Sequence, residues 1–238
     1  MSDGFVLGSL AALAWGLADV SVTYLSRRGG FFTTLLYTQT AGVALLVVVA
    51  LALDDLPGAS GAELPALAAL GPVAVAAYAG FYRALELGPM AIVSPIASSN
   101  GAIVVLLAVL VLGESLTAPQ AVGCVLVLGF IGLAALEPGG GRAEEGPNGI
   151  RLALVTALSF GIYLFGLATI SEELGWLLPI LVARTAAVVI LAAVAAAAAA
   201  YPVIPILVGL FALRERIAWR QLVGVAGVLC GMVVLSFG

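Results

Sequence analysis

Three side chains that could do chemistry lie inside long apolar stretches of this sequence. Asp19 lies late in the first stretch, Asn100 within the fourth, and Arg184 about ten residues into the seventh. Ionisable residues are costly inside a bilayer, and they commonly mark substrate or proton pathways there. Asp19 is therefore a candidate for proton coupling or substrate contact. Arg184 is a candidate for contact with a substrate carboxylate or for a structural ion pair.

Structural interpretations of the same residues stay open. Asp19 is close enough in sequence to Arg27 and Arg28 for its carboxylate to reach the membrane interface. Arg184 could reach water through a defect in the helix bundle. Asn100 is the strongest single candidate for a pathway residue, because an amide in mid-membrane must find a hydrogen-bond partner.

Other polar and aromatic side chains fall within the same stretches and could line a cavity. Tryptophan and tyrosine are also common interfacial anchors, and serine is a normal contact between packed helices. The further substrate-pathway candidates are Trp15, Gln39, Tyr78 and Ser98.

Missing residue types and motifs exclude several classes of function. The chain has no histidine, which is the commonest general base and metal ligand. Its two cysteines, Cys124 and Cys230, lie in apolar runs and form no CxxC pair. There is no GxSxG motif, and the net charge of −4 argues against a nucleic-acid partner. We therefore expect no metal site, no cofactor and no enzymatic activity.

The composition shows which elements must position these residues. Of the 238 residues, 63% are hydrophobic and only 9% are charged, and all nine basic residues are arginine. So few charges could not cover a water-soluble domain, so lipid must be the solvent for most of the chain. A membrane span needs about 20 apolar residues, and eight stretches qualify: Phe5–Leu25, Thr33–Leu53, Leu64–Leu85, Met90–Leu112, Ala118–Leu136, Ile150–Ile170, Leu174–Ala200 and Ile217–Phe237.

A polar segment and a short apolar segment interrupt this pattern. Residues 137–149, EPGGGRAEEGPNG, combine proline, glycine and charge, which is typical of a linker. Tyr201–Leu213 contains Pro202 and Pro205. At about 13 residues it would be roughly 20 Å long as a helix, short of the hydrocarbon thickness of about 30 Å. We predict that it does not cross the membrane independently.

The two sides of the linker contain related sequence. With a shift of 145 residues, Gln39 falls on Arg184, so both copies place a polar side chain at one site. With a shift of 101 residues, 103–134 meet 204–235 with nine identities. The identities include one Glu-x5-Gln-x2-Gly motif in each copy, namely Glu114, Gln120 and Gly123 in the first and Glu215, Gln221 and Gly224 in the second.

The two shifts differ by 44 residues, which indicates a gap in the second copy. We assign residues 1–136 to the first repeat, 137–149 to the linker and 150–238 to a second repeat that lacks about 44 residues near Ala200. The expected architecture is an all-α, polytopic membrane helix bundle. It has two five-helix repeats, the second incomplete, and about 8–9 transmembrane helices.

Several polar positions and glycines have local structural roles in this scheme. Glu114 and Glu215 begin equivalent connectors, which indicates a repeated loop or capping role rather than catalysis. Gly123 is most simply a close-packing position. Arg83 and Glu86 are three residues apart, so they share a helix face and predict a local ion pair.

Four motifs, in this order, resemble the EamA family of the drug/metabolite transporter superfamily. They are AALAWGLADV at 11–20, YRALELGPMAIVSPI at 82–96, LGESLTAPQAVGCVLVLGFIGL at 112–133 and LRERIAWRQLVGVAGVLCGMVVL at 213–235. The resemblance implies a ten-helix secondary carrier with inverted five-helix repeats and a central substrate cavity. The chain departs from that plan where the second copy lacks helix eight and the start of helix nine.

These observations predict a secondary transporter of a metabolite, amino acid or drug in the inner (cytoplasmic) membrane of a prokaryote. Its partners would be a small molecule and membrane lipid, and the sequence leaves open whether it forms a homodimer. The alternative is a truncated membrane protein without transport activity, or an assembly partner, because of the 44-residue gap.

Overall fold

The computed structural model describes residues 2–53, 63–136 and 147–199, and every regular element within these ranges is an α-helix. In chain order the helices are α1 (Ser2–Gly29), α2 (Phe31–Leu53), α3 (Leu64–Leu87), α4 (Met90–Ser98), α5 (Asn100–Leu112), α6 (Ala118–Leu136), α7 (Pro147–Leu174) and α8 (Leu177–Ala199). The predictions for the second-copy motif, for Tyr201–Leu213 and for the stretch Ile217–Phe237 lie outside the described residues, as do those for the linker residues 137–146.

Within the described ranges, six helical segments are long and apolar enough to cross a membrane: Ser9–Gly29, Phe31–Leu53, Leu64–Leu87, Met90–Leu112, Asn148–Leu174 and Leu177–Ala195. They correspond to six of the stretches predicted from the sequence. The remaining described stretch, Ala118–Leu136, is helical, and its segment Ala118–Gly129 is a shorter apolar helix. The chain is therefore an all-helical, multi-pass membrane protein in the part that the structure describes.

The first connector is shorter than the sequence pattern indicates. The predicted spans end at Leu25 and resume at Thr33, but α1 continues to Gly29 and only Gly30 separates it from α2. Gly30 has φ 82° and donates its N–H to the Ser26 carbonyl at 2.9 Å. A residue with positive φ closes a helix in one step, and glycine does so without steric cost. Arg27 and Arg28 are thus part of the last turn of α1.

The fourth span is one apolar stretch in the sequence but two helices in the structure. The break lies at Ser99, with φ −70° and ψ −3°, and separates α4 from α5. Ser99 Oγ donates to the Ile96 carbonyl at 2.5 Å, and Asn100 Nδ2 donates to the Ala97 carbonyl at 2.9 Å. Side chains thus occupy carbonyls that the helix would otherwise use, and Pro95 removes one further backbone donor.

Small residues bring α3 and α7 together at the centre of the bundle. The buried alanines on the two helices include Ala74 and Ala77 on α3 and Ala153 on α7. A Cβ added at Gly80 would lie 2.6 Å from Oγ1 of Thr156, so the helices approach as closely as glycine permits. Lipid supplies no hydrophobic driving force between helices, so close packing of this kind is what holds them together.

Among the described residues, those up to Ala187 form one compact unit, and those from Val188 to Ala199 belong to a second. In the first unit, α3 contacts α1, α2, α4 and α7, and α7 also contacts α4 and α5. All contacts discussed below lie within this first unit.

Candidate functional site

A cavity of about 440 Å³ lies between α1, α3, α4, α5 and α7. The side chains that line it are Trp15, Asp19, Tyr78, Phe81, Ala97, Ser98, Asn100, Phe160 and Leu164. Five of the pathway candidates from the sequence are among them: Trp15, Asp19, Tyr78, Ser98 and Asn100. The other two, Gln39 and Arg184, are not in this lining and contact each other instead.

Asp19 forms a polar link between the first and fourth spans. Ser94 Oγ on α4 donates to Asp19 Oδ2 at 2.7 Å, and Asp19 itself is half-buried on the cavity wall. A hydrogen bond to a carboxylate is stronger than one between neutral groups. The pair therefore joins α1 to α4 near the break in the fourth span.

The two arginines that follow Asp19 contact other groups at the end of α1. Arg27 donates from Nε to the Leu85 carbonyl at 3.1 Å and from Nη2 to the Gly88 carbonyl at 2.7 Å. These are carbonyls at the C-terminal end of α3, where a positive charge also complements the helix dipole. Arg28 lies over the ring of Tyr24 at 4.2 Å. The described contacts of Arg27 and Arg28 are thus with the end of α3 and with the Tyr24 ring, whereas Asp19 lines the cavity.

The Asn100 side chain has a hydrogen-bond partner within its own span. Its Nδ2 donates to the Ala97 carbonyl at the break between α4 and α5, and the side chain lines the cavity beside Ser98. Ser98 is exposed at the end of α4. The break therefore positions two neutral polar side chains on the wall that Asp19 also shares.

Aromatic rings form another part of the wall. Tyr78 and Phe160 are packed edge to face with centroids 4.9 Å apart, and Phe81 lies 5.9 Å from Phe160. The sequence analysis missed Phe81, Phe160 and Leu164. Their spacing is a signal that could have found them, because Phe81 follows Tyr78 by three residues and Leu164 follows Phe160 by four, so each pair shares a helix face.

A second polar cluster lies behind Tyr78 and contains Arg184. Arg184 Nη1 donates to Gln39 Oε1 at 3.1 Å, and Gln39 is only 1% exposed. Arg184 Nη2 lies 3.5 Å from the Tyr78 hydroxyl, at the outer limit for a hydrogen bond, and its Cζ is 5.6 Å from the centre of the Tyr78 ring. Nη1 also leaves no room for a Cβ at Gly42. The described contacts of the arginine are thus an amide, a phenol and a glycine.

Gln120, the glutamine of the first-copy motif, has a local structural role. Gln120 Oε1 accepts from Thr117 N–H at 2.9 Å and from Thr117 Oγ1 at 2.8 Å. This is the glutamine half of a capping box at the start of α6. Glu114 is exposed in the preceding loop. A Cβ added at Gly123 would meet no described atom within 4 Å, so close packing at Gly123 stays a prediction.

The predicted ion pair at the end of the third span is confirmed. Arg83 Nη1 lies 2.8 Å from Glu86 Oε2, with the two side chains 42% and 22% exposed. Arg83 also lies 5.4 Å from the ring of Phe31. At that exposure the pair is an interfacial feature and contributes little to stability. Among the described residues, no group of three or more histidine, cysteine, aspartate or glutamate side chains is arranged to hold a metal ion.

Comparison with protein families identifies one match. Residues 3–136 match the EamA-like transporter family. Comparison with curated proteins and with solved structures gives no match. The matched range includes α1 to α6, and these helices supply most of the cavity wall. Because more than half of the chain matches and the described helices are those of a multi-pass membrane protein, the protein belongs to the EamA-like transporter family of the drug/metabolite transporter superfamily.

Proposed function

We propose that the protein is a secondary carrier that moves a small organic solute across the cytoplasmic membrane, and that the solute binds in the cavity between α1, α3, α4, α5 and α7. The cavity itself is the observation that carries this proposal. Its volume of about 440 Å³ falls within the range of roughly 300–1,000 Å³ that is usual for small-molecule sites. Its wall combines aromatic rings with a few polar groups, as such sites do.

The broken fourth span supports the same function. Transporters commonly form substrate sites from interrupted helices near the middle of the membrane, where freed backbone groups line a cavity instead of facing lipid. Here the interruption at Ser99 lies between Ser98 and Asn100, which are both cavity residues. In an unbroken helix, side chains two residues apart point to different faces, so Ser98 and Asn100 would not both face one cavity.

We further propose that the chain consists of two inverted repeats, the second incomplete. The contact between Gln39 and Arg184 supports this arrangement. These residues are separated by 145 positions, which is the shift that aligns the beginnings of the two copies. Equivalent residues of two copies touch each other when they lie beside the axis that relates the copies. The contact is therefore what a pseudo-two-fold axis near Gln39 would produce.

The experiment is a counterflow assay with the full chain in proteoliposomes. Vesicles are loaded in turn with an amine, an amino acid and a carboxylate, and uptake of the same labelled solute is compared with empty vesicles. A carrier gives transient accumulation of at least one solute, and Asn100→Ala lowers it while Glu172→Gln, an exposed residue of α7, does not. Accumulation equal to that of empty vesicles for all three would contradict transport of these solute classes and favour the non-transporting alternative.

A further inference from the structure

We propose that the cavity binds a small organic cation with an aromatic or similarly bulky apolar body. The inference rests on the proposed function, because it takes the cavity to be the substrate site. It follows from three properties of the described wall: its charge, its hydrogen-bonding groups and its aromatic surface.

The charge on the described wall is negative. Of the described side chains that line the cavity, Asp19 is the one acidic group, and none is basic. An anion entering a site of low dielectric beside this carboxylate would be repelled, while a cation would neutralise it. The charge of the wall therefore favours a cationic ligand over an anionic one.

No arginine is among the described side chains that line the cavity. Arg184 is separated from it by the Tyr78 ring, at 5.6 Å from the ring centre, and donates to Gln39. Arg27 is eight residues beyond Asp19, about 12 Å along α1, and donates to carbonyls at the end of α3. A zwitterionic ligand would have its ammonium matched by Asp19, while its carboxylate would meet no cationic side chain among the described lining residues.

The neutral polar groups are suited to a donor ligand. Asn100 Nδ2 donates one N–H to the Ala97 carbonyl, and its amide oxygen can accept a hydrogen bond from a ligand. Ser94 already donates to one oxygen of Asp19, and an ionised carboxylate has further lone pairs to accept with. The Asp19 carboxylate, the Asn100 amide oxygen and the hydroxyl oxygens on the wall can all accept, and acceptors match the N–H groups of an ammonium or the positive surface of a quaternary nitrogen.

The aromatic part of the wall supplies the rest of the binding energy. Trp15, Tyr78, Phe81 and Phe160 lie on α1, α3 and α7 around the space beside Asp19. Aromatic faces attract cations, and their apolar surface buries the body of a ligand. A carboxylate beside several rings is thus an arrangement that recognises positive charge attached to apolar bulk.

The test is binding of benzyltrimethylammonium to the full chain in detergent, measured by isothermal titration calorimetry. Benzenesulfonate, phenylalanine and N-methylbenzamide serve as anionic, zwitterionic and neutral probes of similar size. We expect the cation to bind most tightly. Asp19→Asn should weaken its affinity by at least about tenfold, a loss that corresponds to 1.4 kcal/mol, while Asp19→Glu and the exposed control Glu172→Gln retain binding.

The outcomes separate this inference from the proposed function. Tighter binding of the sulfonate or of phenylalanine than of the cation overturns the inference and leaves the carrier intact. Undiminished cation binding by Asp19→Asn also overturns it. Cation binding that depends on Asp19, in a protein that gives no counterflow of any solute, including this cation, supports the inference and removes the carrier. The comparison of the four probes uses the wild-type chain, so it decides the matter even if Asp19→Asn fails to fold.

Discussion

Two polar clusters lie in the same helix bundle, and they accommodate a charge within the membrane in opposite ways. Asp19 accepts from Ser94 and lies on the wall of a cavity. Arg184 lies outside that wall and donates to Gln39, which is almost completely buried. The acid is positioned where a ligand can reach it, whereas the base contacts protein groups. The sign of a charge within a span therefore does not reveal its role, and its neighbours do.

Tyr78 contacts both clusters. One side of it lies on the cavity and packs against Phe160, and its ring and hydroxyl lie near Arg184. It is also buried on α3, the helix that contacts α1, α2, α4 and α7. The comparison thus leads to variants that act on the shared residue, on the basic cluster and on the acidic cluster.

The largest effect is expected for Tyr78→Ala. Removing a buried aromatic side chain leaves a cavity and costs about 3–5 kcal/mol of unfolding free energy. It would also merge the two clusters and lower counterflow. Tyr78→Phe keeps the ring and loses only a contact at 3.5 Å, so we expect a change below about 1 kcal/mol. Unfolding by SDS titration measures both, and equal losses in the two variants would show that the hydroxyl, rather than the ring, is what matters.

The second-largest loss of stability is expected for Gln39→Leu, because this variant removes the acceptor of Arg184 Nη1. Loss of a hydrogen bond to a charged group, with the charge left behind, costs about 1.5–3 kcal/mol. The double variant Gln39→Leu/Arg184→Met replaces both partners by apolar side chains and should recover most of that stability. SDS titration of the two single variants and the double variant completes a double-mutant cycle. A double variant less stable than both single ones would contradict a structural role for the pair.

Gly42→Ala tests the geometry of the basic cluster alone. The new methyl group would overlap Nη1 of Arg184, so the guanidinium must move away from Gln39. We expect a loss of about 1–2 kcal/mol, the usual cost of overpacking a close contact. Gly129→Ala is the matched control, since no described atom lies within 4 Å of a Cβ there. Benzyltrimethylammonium affinity should be unchanged in both variants, and a large decrease in Gly42→Ala would tie Arg184 to the cavity after all.

The smallest effect is expected for Ser94→Ala. It removes one donor to Asp19 Oδ2, but the half-buried carboxylate lies on the cavity wall, where water can replace that donor, so we expect a cost of about 0.5–1.5 kcal/mol. The carboxylate stays in place, so cation affinity in the calorimetric assay should change only a few-fold. Ser21→Ala is the control, because that hydroxyl donates within its own helix to the Leu17 carbonyl. A loss as large as that of Asp19→Asn would show that Ser94 contacts the ligand itself.

Much of the cavity could be predicted residue by residue, because polarity inside an apolar stretch is visible in the sequence. Asp19 and Asn100 stand out by composition alone, and the structure places both on one wall. Phe81 and Phe160 did not stand out, because a phenylalanine in a membrane helix is as common facing lipid as facing a cavity. Gln39 was found through its alignment with Arg184, and the structure brings the two into contact away from the cavity.

Helix breaks were harder to predict than helices. The apolar content of Met90–Leu112 indicates one span, and the total length of α4 and α5 agrees with it. The break at Ser99 depends on whether hydroxyl and amide groups bond to nearby carbonyls or to other helices, and the sequence permits both. The role of Gln120 was hard to predict for the same reason. Its side chain bonds to the nearby Thr117 N–H, so part of the repeated motif serves as a helix cap.

The sequence by itself determined that the helices lie in lipid, that the described chain is helical, and to which family it belongs. Sixty-three per cent hydrophobic residues cannot be covered by 9% charged ones, and backbone groups in lipid must be satisfied within a helix. Only the tertiary structure decided which polar groups share a cavity and which pair with each other. That choice depends on the rotation of each helix about its axis, which close contacts such as Gly80 with Thr156 set. Helices of low amphipathicity carry little record of that rotation in their sequence, so packing, rather than hydropathy, places Asp19 on the cavity and Arg184 behind Tyr78.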